Sequence, residues 1–271
     1  MLPPDLTLAD AALRVFPNVF LFDGGRYVIA TLVMSAVLWA VHRTAWRVRI
    51  IQNRRAKRAD YVRELSTSLR TIIVYAAVFT PVLWLKARGY GPAAFGPSTA
   101  WMTAAYVVML LIVHDTWFYW THRLLHRPAL FRKWHRTHHK TITPTPFTAY
   151  AFDWREAVVA TGMPVLWQLT IPTPHDAFFF FLGIMIVRNV WGHCGTELLP
   201  AGFADHWLFQ HVTTTTHHDL HHSGSFACNF GLYFTWWDRI CGTEHPRYRE
   251  IFREVTSRPA VRVATSAAAA Q

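Results

Sequence analysis

The chain has 271 residues, of which 52% are hydrophobic, 15% aromatic and only 16% charged. Soluble domains usually carry about 25% charged residues, so much of this surface is predicted to face lipid rather than water. The formal net charge is +11, but no zinc-finger spacing or aromatic-interleaved basic motif supports a nucleic-acid-binding protein, and an anionic membrane surface fits better.

Five apolar segments predict an all-α membrane bundle of four to five helices. A full span needs about 20 apolar residues. The third segment reaches that length, whereas the others predict short spans, helices of a hairpin or buried core helices. All five are apolar around the whole helix, which argues against a soluble amphipathic bundle. The segments are Tyr27–Val41, Thr71–Leu85, Ala100–Trp120, Ala157–Ile171 and Ala177–Trp191.

The basic residues predict the orientation of these segments. Residues 43–70 contain nine Lys or Arg, whereas residues 86–99 contain only two. The positive-inside rule therefore predicts that 43–70 is cytoplasmic. Counting segments from there places 121–156 and the chain from His193 onward on the same side. We expect a multi-pass protein with its histidine clusters in the cytoplasm, and the short chain without a retention signal favours a bacterial inner membrane over an ER membrane.

Histidine is the residue type that predicts chemistry here, because 14 of the 16 histidines lie between positions 114 and 222. The stretch "HDTWFYWTHRLLH" places His122 and His126 four residues apart, so that both imidazoles share one helical face and can bind one metal. The spacing HxxHH then occurs twice. The candidate ligands are His122, His126, His135, His138, His139, His193, His218, His221 and His222.

Nine imidazoles are too many for one tetrahedral ion and predict two metal ions. Imidazole suits Fe, Zn, Cu and Ni, whereas Mg and Ca prefer oxygen ligands. The cysteines form no CxxC pair, which argues against a thiolate site. Nearby groups predicted as additional ligands, or as partners that orient the imidazoles, are His114, Asp115, Glu197, His217 and Asp219.

Two other classes of function remain open at this point. A membrane zinc hydrolase would use imidazole ligands, although the HExxH motif of many zinc hydrolases is absent. A non-catalytic metal-binding membrane protein would also explain the histidines. Iron content and O2 dependence distinguish an oxidoreductase from both.

Several motifs together resemble the fatty acid hydroxylase / sterol desaturase superfamily of integral membrane non-haem di-iron oxygenases. The resemblance covers roughly residues 100–243. "THHKTITPTPFTAYAF" is similar to the sterol C5-desaturase branch, whereas "HHDLHH" with "FTWWDR" is similar to the C4-methyl sterol oxidase branch. The other matching motifs are "DTWFYWTHRLLH", "HRTHHK", "GHCGTE" and "NFGLYFTWWDRICGT".

The resemblance implies an enzyme that hydroxylates or desaturates a membrane lipid, such as a sterol, a sphingolipid or a fatty acyl chain. It implies a helical membrane domain capped by a cytoplasmic His-rich domain, two irons, O2 as co-substrate and electrons from an external reductase chain. The donor is expected to be a separate ferredoxin or cytochrome b5 type of protein, because no HPGG-like haem-binding element occurs.

The family's ligand positions match the nine candidate histidines one by one. Some relatives carry a further histidine four residues after His193, and here that position is Glu197. Glu197 or His217 is therefore expected to complete the ligand set. We divide the chain into membrane helices with a basic loop (1–99), a His-motif catalytic domain (100–245) and a partly disordered tail (246–271).

Overall fold

Three long helices form the core of the bundle in the computed structural model, which describes residues 7–93, 95–96, 98–224 and 226–259. By length and composition each of the three could cross a membrane. At about 1.5 Å per residue they measure about 51, 45 and 39 Å, which exceeds the roughly 30 Å hydrocarbon core of a bilayer. The three are α1 (Leu8–Val41), α2 (Arg58–Ala87) and α3 (Ala100–Leu125).

The first helix begins much earlier than the apolar pattern indicates. Thr7 and Asp10 form a capping box at its N-terminus, which satisfies backbone N–H groups that a helix leaves unpaired there. The predicted segment began only at Tyr27, because Asp23 and Arg26 interrupt the apolar run. In the structure these two side chains form an ion pair on one face of α1, so the helix continues through them.

A second pair of apolar helices completes the bundle as an antiparallel hairpin. After two short helices described below, α6 (Trp154–Thr170) and α7 (His175–Gly192) follow the fourth and fifth predicted segments closely. At about 26 and 27 Å each falls slightly short of the hydrocarbon thickness. Helix α6 packs on α2 and α3, and α7 packs on α1 and α3.

Short helical pieces cover one end of this bundle and carry six of the nine candidate ligand histidines. Among the described residues there is no strand, only two isolated β-bridges, so the predicted all-α class is confirmed. The last helix lies within the predicted tail, whose residues from 260 onward lie outside the described part. The pieces are α4 (Pro128–Leu130), a π-helical turn (Phe131–His135), α5 (Arg136–His139), a 3-10 turn (Pro146–Tyr150), α8 (Thr215–Ser223), α9 (Trp236–Ile240) and α10 (Tyr248–Thr256).

Buried polar contacts fix the loop between α5 and α6 against α2. The Glu64 carboxylate of α2 is fully buried and accepts hydrogen bonds from the Thr145 and Thr141 hydroxyls at 2.5 and 3.2 Å. Tyr150 stacks on Tyr27 of α1, with ring centroids 5.1 Å apart. Because a buried carboxylate is costly without such partners, these contacts hold the chain that follows the second histidine group in one position.

We expect substitution of Gly162 to loosen the packing of α6 on α3. A Cβ atom there would overlap the Trp117 ring, and that ring is held by a 3.1 Å hydrogen bond from its Nε1 to the Val159 carbonyl. Overpacking of this kind costs about 1–3 kcal/mol, so Gly162→Ala should lower the melting temperature of the detergent-solubilised protein.

Gly183→Ala in α7 is the matched control, because a Cβ at that helical position meets no atom within 4 Å. Its melting temperature should stay the same or rise, since alanine favours the helix. Equal melting temperatures for the two variants would contradict the assigned contact between α3 and α6.

Candidate metal centre

Nine histidines converge where the short helices cap the bundle. In the part of the chain that the structure describes they form two groups, and within each group one ring nitrogen of every member lies within 4.8 Å of the others. All nine are among the ligands predicted from the sequence. The five-histidine group comprises His122, His126, His135, His139 and His221, and the four-histidine group comprises His138, His193, His218 and His222.

Two short helices contribute to both groups at once. On α8, His218 and His222 are four residues apart and belong to the four-histidine group, whereas His221 belongs to the other. On α5, the rings of His138 and His139 are nearly perpendicular, at 85°. Successive helical residues are rotated by about 100°, so neighbouring histidines on one helix point to different groups.

The nitrogen spacings in the five-histidine group match donors around one ion. Two nitrogens that each lie about 2.1 Å from a metal at a right angle are about 3.0 Å apart. The Nε2 atoms of His122 and His139 lie 3.1 Å from that of His135. The His139 Nε2 also lies 3.2 Å from that of His126 and 3.0 Å from that of His221.

The four-histidine group has the same geometry and lies directly beside the first. The His193 Nε2 is 3.4 Å from that of His138 and 2.9 Å from that of His218. The His218 and His222 Nε2 atoms are 3.2 Å apart. The rings of His222 and His139, one from each group, have centroids 4.8 Å apart. Two ions bound in these groups would therefore be close neighbours.

In four of the clustered rings a carbonyl oxygen fixes the tautomer and leaves the Nε2 lone pair facing the group. The His122 Nδ1 lies 2.9 Å from the Phe230 carbonyl oxygen. That oxygen can only accept, so Nδ1 carries the hydrogen and the neutral ring keeps its lone pair on Nε2. Three other rings donate a hydrogen bond from Nδ1 to a backbone carbonyl oxygen. They are His193 to Asn189, His221 to Cys228 and His222 to Thr141.

Burial keeps these rings neutral. Removal from water lowers the pKa of His193 to about 4. It lowers the pKa of the more crowded rings well below the usual value, and the positive charge of protonated neighbours adds to the effect. Neutral imidazoles with lone pairs 3 Å apart repel each other, and a cation between them converts that repulsion into attraction. The rings so affected are His135, His138, His139, His218, His221 and His222.

Neither of the two residues expected to complete the ligand set contributes an atom to either group. The Glu197 carboxylate instead accepts hydrogen bonds at the start of α8, from the Thr216 N–H at 2.9 Å and its hydroxyl at 2.7 Å. His217 is fully buried, and neither ring nitrogen has a hydrogen-bond partner. Its Nε2 lies 3.6 Å from the Asp238 carboxylate. Glu197 thus fixes the start of α8, which carries three of the nine clustered histidines.

The remaining predicted partners also hold the frame around the groups. Asp115 of α3 accepts a 2.7 Å hydrogen bond from the Tyr233 N–H. The His114 Nδ1 lies 2.9 Å from the Tyr233 hydroxyl. Asp219 of α8 accepts from the Gln52 amide at 2.9 Å. The first two contacts tie α3 to the segment that follows α8, and the third ties the basic loop to α8.

One carboxylate that contacts a clustered histidine was missed in the sequence. Glu156 lies in the first turn of α6, and its Oε1 is 2.6 Å from the His135 Nδ1, with both side chains buried. Carboxylate partners of this kind orient an imidazole and make it a stronger ligand. The fourth apolar segment was predicted from Ala157 onward, so it excluded this residue. The sequence signal that could have identified Glu156 is that it is the one carboxylate in the first turn of a largely apolar helix.

Comparison with known proteins gives a consistent family assignment. The sequence profile described as "Fatty acid hydroxylase" matches residues 107–243, which is half of the chain and includes all nine clustered histidines. A Delta(7)-sterol 5(6)-desaturase of Gibberella zeae is 30% identical over 152 residues, which cover 56% of this chain and 45% of that protein. No solved structure matches the chain.

Two proteins of Aspergillus fumigatus match more of the sequence. A Delta(7)-sterol 5(6)-desaturase is 26% identical over 253 residues, covering 90% of this chain and 70% of that protein. A methylsterol monooxygenase is 27% identical over 187 residues, covering 64% of this chain and 60% of that protein. Against the Gibberella zeae relative, the chain spans slightly less than half of the length. With its three long apolar helices and the profile match over half of its length, this chain is a multi-pass membrane protein that belongs to the fatty acid hydroxylase family.

Proposed function

We propose that this protein is an O2-dependent oxidoreductase that uses two irons, held by the nine clustered histidines, to hydroxylate or desaturate a membrane lipid. The observation that carries the proposal is the pair of adjacent groups of imidazole nitrogens, which are buried except for the half-buried His126. The names of the relatives, sterol desaturase and methylsterol monooxygenase, support the reaction class.

The donor set and the reaction class together favour iron. Imidazole nitrogens suit both iron and zinc, so geometry alone does not choose between them. Desaturation and oxygen insertion require a metal that changes its oxidation state, and zinc has no redox chemistry. Bound irons would supply the activation of O2. The five-histidine group and the four-histidine group would each hold one ion.

The residues of the chain contribute orientation and exclusion of water. Eight of the nine clustered histidines are buried and the ninth, His126, is half-buried. Phenylalanine rings pack against the imidazoles with centroids 5.0–5.1 Å apart, and they close the groups off from solvent. A dry site strengthens electrostatic interactions and limits side reactions of a strong oxidant. The three rings are Phe118, Phe152 and Phe230.

We propose that the lipid reaches the site from the bilayer and that the electrons come from a separate protein on the cytoplasmic side. Four exposed cations lie on the segment that carries the second histidine group, from α4 to the end of α5. Such a basic surface speeds the encounter with an acidic ferredoxin or cytochrome. The four are Arg132, Lys133, Arg136 and Lys140.

We expect His138→Ala to lose metal from the four-histidine group and to abolish product formation. The substitution removes one of four nitrogens, so the iron content measured by mass spectrometry should fall from two to at most one per chain. His175→Ala is the control, because that histidine is exposed at the start of α7 and belongs to neither group. An iron content of two and normal turnover in His138→Ala would refute the ligand assignment, and stoichiometric zinc in the wild type would favour a hydrolase.

We expect Glu156→Gln to weaken metal binding at the five-histidine group. The amide keeps the size of the side chain but replaces the carboxyl group that contacts the His135 Nδ1, and loss of such partners typically costs about 10–100-fold in metal affinity. Competition with a chelator measures the change. Glu250→Gln is the control, since Glu250 is exposed and pairs with Arg247 on α10. Equal affinities in the two variants would show that Glu156 does not support the site.

We expect the reaction to be visible in the lipids of the host cell. Mass spectrometry of lipid extracts from cells with and without the gene should show one lipid class that gains an oxygen atom or loses two hydrogen atoms. The His138→Ala variant provides the matched background. No shift in any lipid class under aeration, with iron-loaded protein present, would contradict the proposed reaction.

A further inference from the structure

A small cavity lies directly below the two histidine groups. Its volume is about 50 Å³, and it is enclosed by α1, α2, α3, α6, α7 and the loop before α6. Phe118 and Phe152 form part of its wall. On their other sides, these rings pack against His122 and His138, with centroids 5.0 and 5.1 Å apart. One aromatic ring therefore separates the cavity from each group.

One wall of this cavity is polar although it lies among apolar helices. Arg26 of α1 lines it. The guanidinium donates from Nε to Asp23 at 2.6 Å and from Nη1 to the Leu182 carbonyl at 2.8 Å, and Nη2 also contacts Asp23. A guanidinium has five N–H groups, so two remain without a partner among the described residues. Charged residues within membrane helices are costly and usually functional.

The Tyr150 hydroxyl is a second unused donor in the same cavity. Tyr150 lines the cavity and is 1% exposed, and its hydroxyl has no hydrogen-bond partner in the described structure. The neighbouring Tyr27 differs, since its hydroxyl donates to the Phe147 carbonyl at 2.9 Å. An unpaired buried hydroxyl costs about 1–3 kcal/mol. Packing alone would be served better by phenylalanine, so the hydroxyl indicates a ligand.

We propose that this cavity binds an oxygen atom of the lipid substrate, held by the Tyr150 hydroxyl and the Arg26 guanidinium. The inference rests on the proposed function and narrows its substrate class. Because only one aromatic ring lies between this cavity and each histidine group, the oxygen lies close to the carbon that is oxidised. A lipid with a hydroxyl group on its ring system, such as a sterol, meets this condition. An acyl chain oxidised far from its headgroup does not.

The size of the cavity agrees with recognition of one end of a lipid. A volume of about 50 Å³ exceeds the roughly 10–15 Å³ that a cavity needs to hold one water molecule, so it accepts a hydroxyl group and its adjoining carbon. A complete ring system needs more room, so the flexible side chains in the wall must move when it enters. Phe79 and Met185 are such side chains.

The test compares a Delta(7)-sterol with the same sterol lacking its hydroxyl group. Binding of each radiolabelled sterol is measured on the purified protein in phosphatidylcholine nanodiscs, in the wild type and in Tyr150→Phe. We expect the wild type to bind the hydroxylated sterol about tenfold more tightly, as one buried hydrogen bond allows. Tyr150→Phe should reduce this preference to about threefold or less. Tyr106→Phe, on α3 outside the cavity wall, should keep the full preference.

Three results would overturn the proposal: equal binding of the two sterols by the wild type, no binding of either sterol, or an unchanged preference in Tyr150→Phe. The melting temperature of each variant shows whether it is folded. If Tyr150→Phe unfolds, Arg26→Lys replaces it in the same comparison. Iron content and lipid oxidation by the wild type are measured separately. If the wild type contains iron and oxidises lipid but shows no sterol preference, only this inference fails. If it contains no iron and oxidises no lipid, the proposed function fails.

Discussion

The structure depends on nine clustered imidazoles, eight of them buried, whose neighbouring Nε2 atoms lie about 3 Å apart. Nothing in the ring contacts themselves stabilises that arrangement, since Nε2 atoms 2.9–3.4 Å apart repel when both carry lone pairs. The surrounding fold must impose it. Carbonyl oxygens and Glu156 fix the rings from outside, Glu197 fixes the start of α8, and Glu64 fixes the loop after α5. A pair of bound cations would supply the compensating attraction.

The need for a fold that holds the rings close together explains why the histidines lie at the end of a membrane bundle. The long helices α1, α2 and α3 form a rigid apolar frame, and α3 ends at Leu125, between His122 and His126. Short helices with tight turns can then direct neighbouring histidines to different groups, as His138 and His139 show. The polar cavity below the groups lies within the frame, so the histidine groups and this cavity share a wall of aromatic rings.

Local spacing predicted much of the site, and tertiary contacts decided the rest. The HxxxH and HxxHH patterns predicted eight of the nine clustered histidines, because residues three or four apart share a helical face, and the ninth, His193, stands alone at the end of the fifth apolar segment. The division into five and four depends on how α3, α5 and α8 meet, which no local spacing encodes. Glu156 was missed and Glu197 was expected nearer the ligands, since partner choice for a carboxylate is set by the fold. The helix α1 was predicted too short, because Asp23 and Arg26 neutralise each other only in three dimensions.

The most direct test of the central claim is X-ray absorption spectroscopy at the iron edge of the purified protein, together with metal analysis. The account predicts two irons per chain, a first coordination sphere dominated by imidazole nitrogen at roughly 2.1 Å, and scattering from a second iron nearby. A single ion, a sphere dominated by sulfur, or zinc in place of iron in active protein would contradict it.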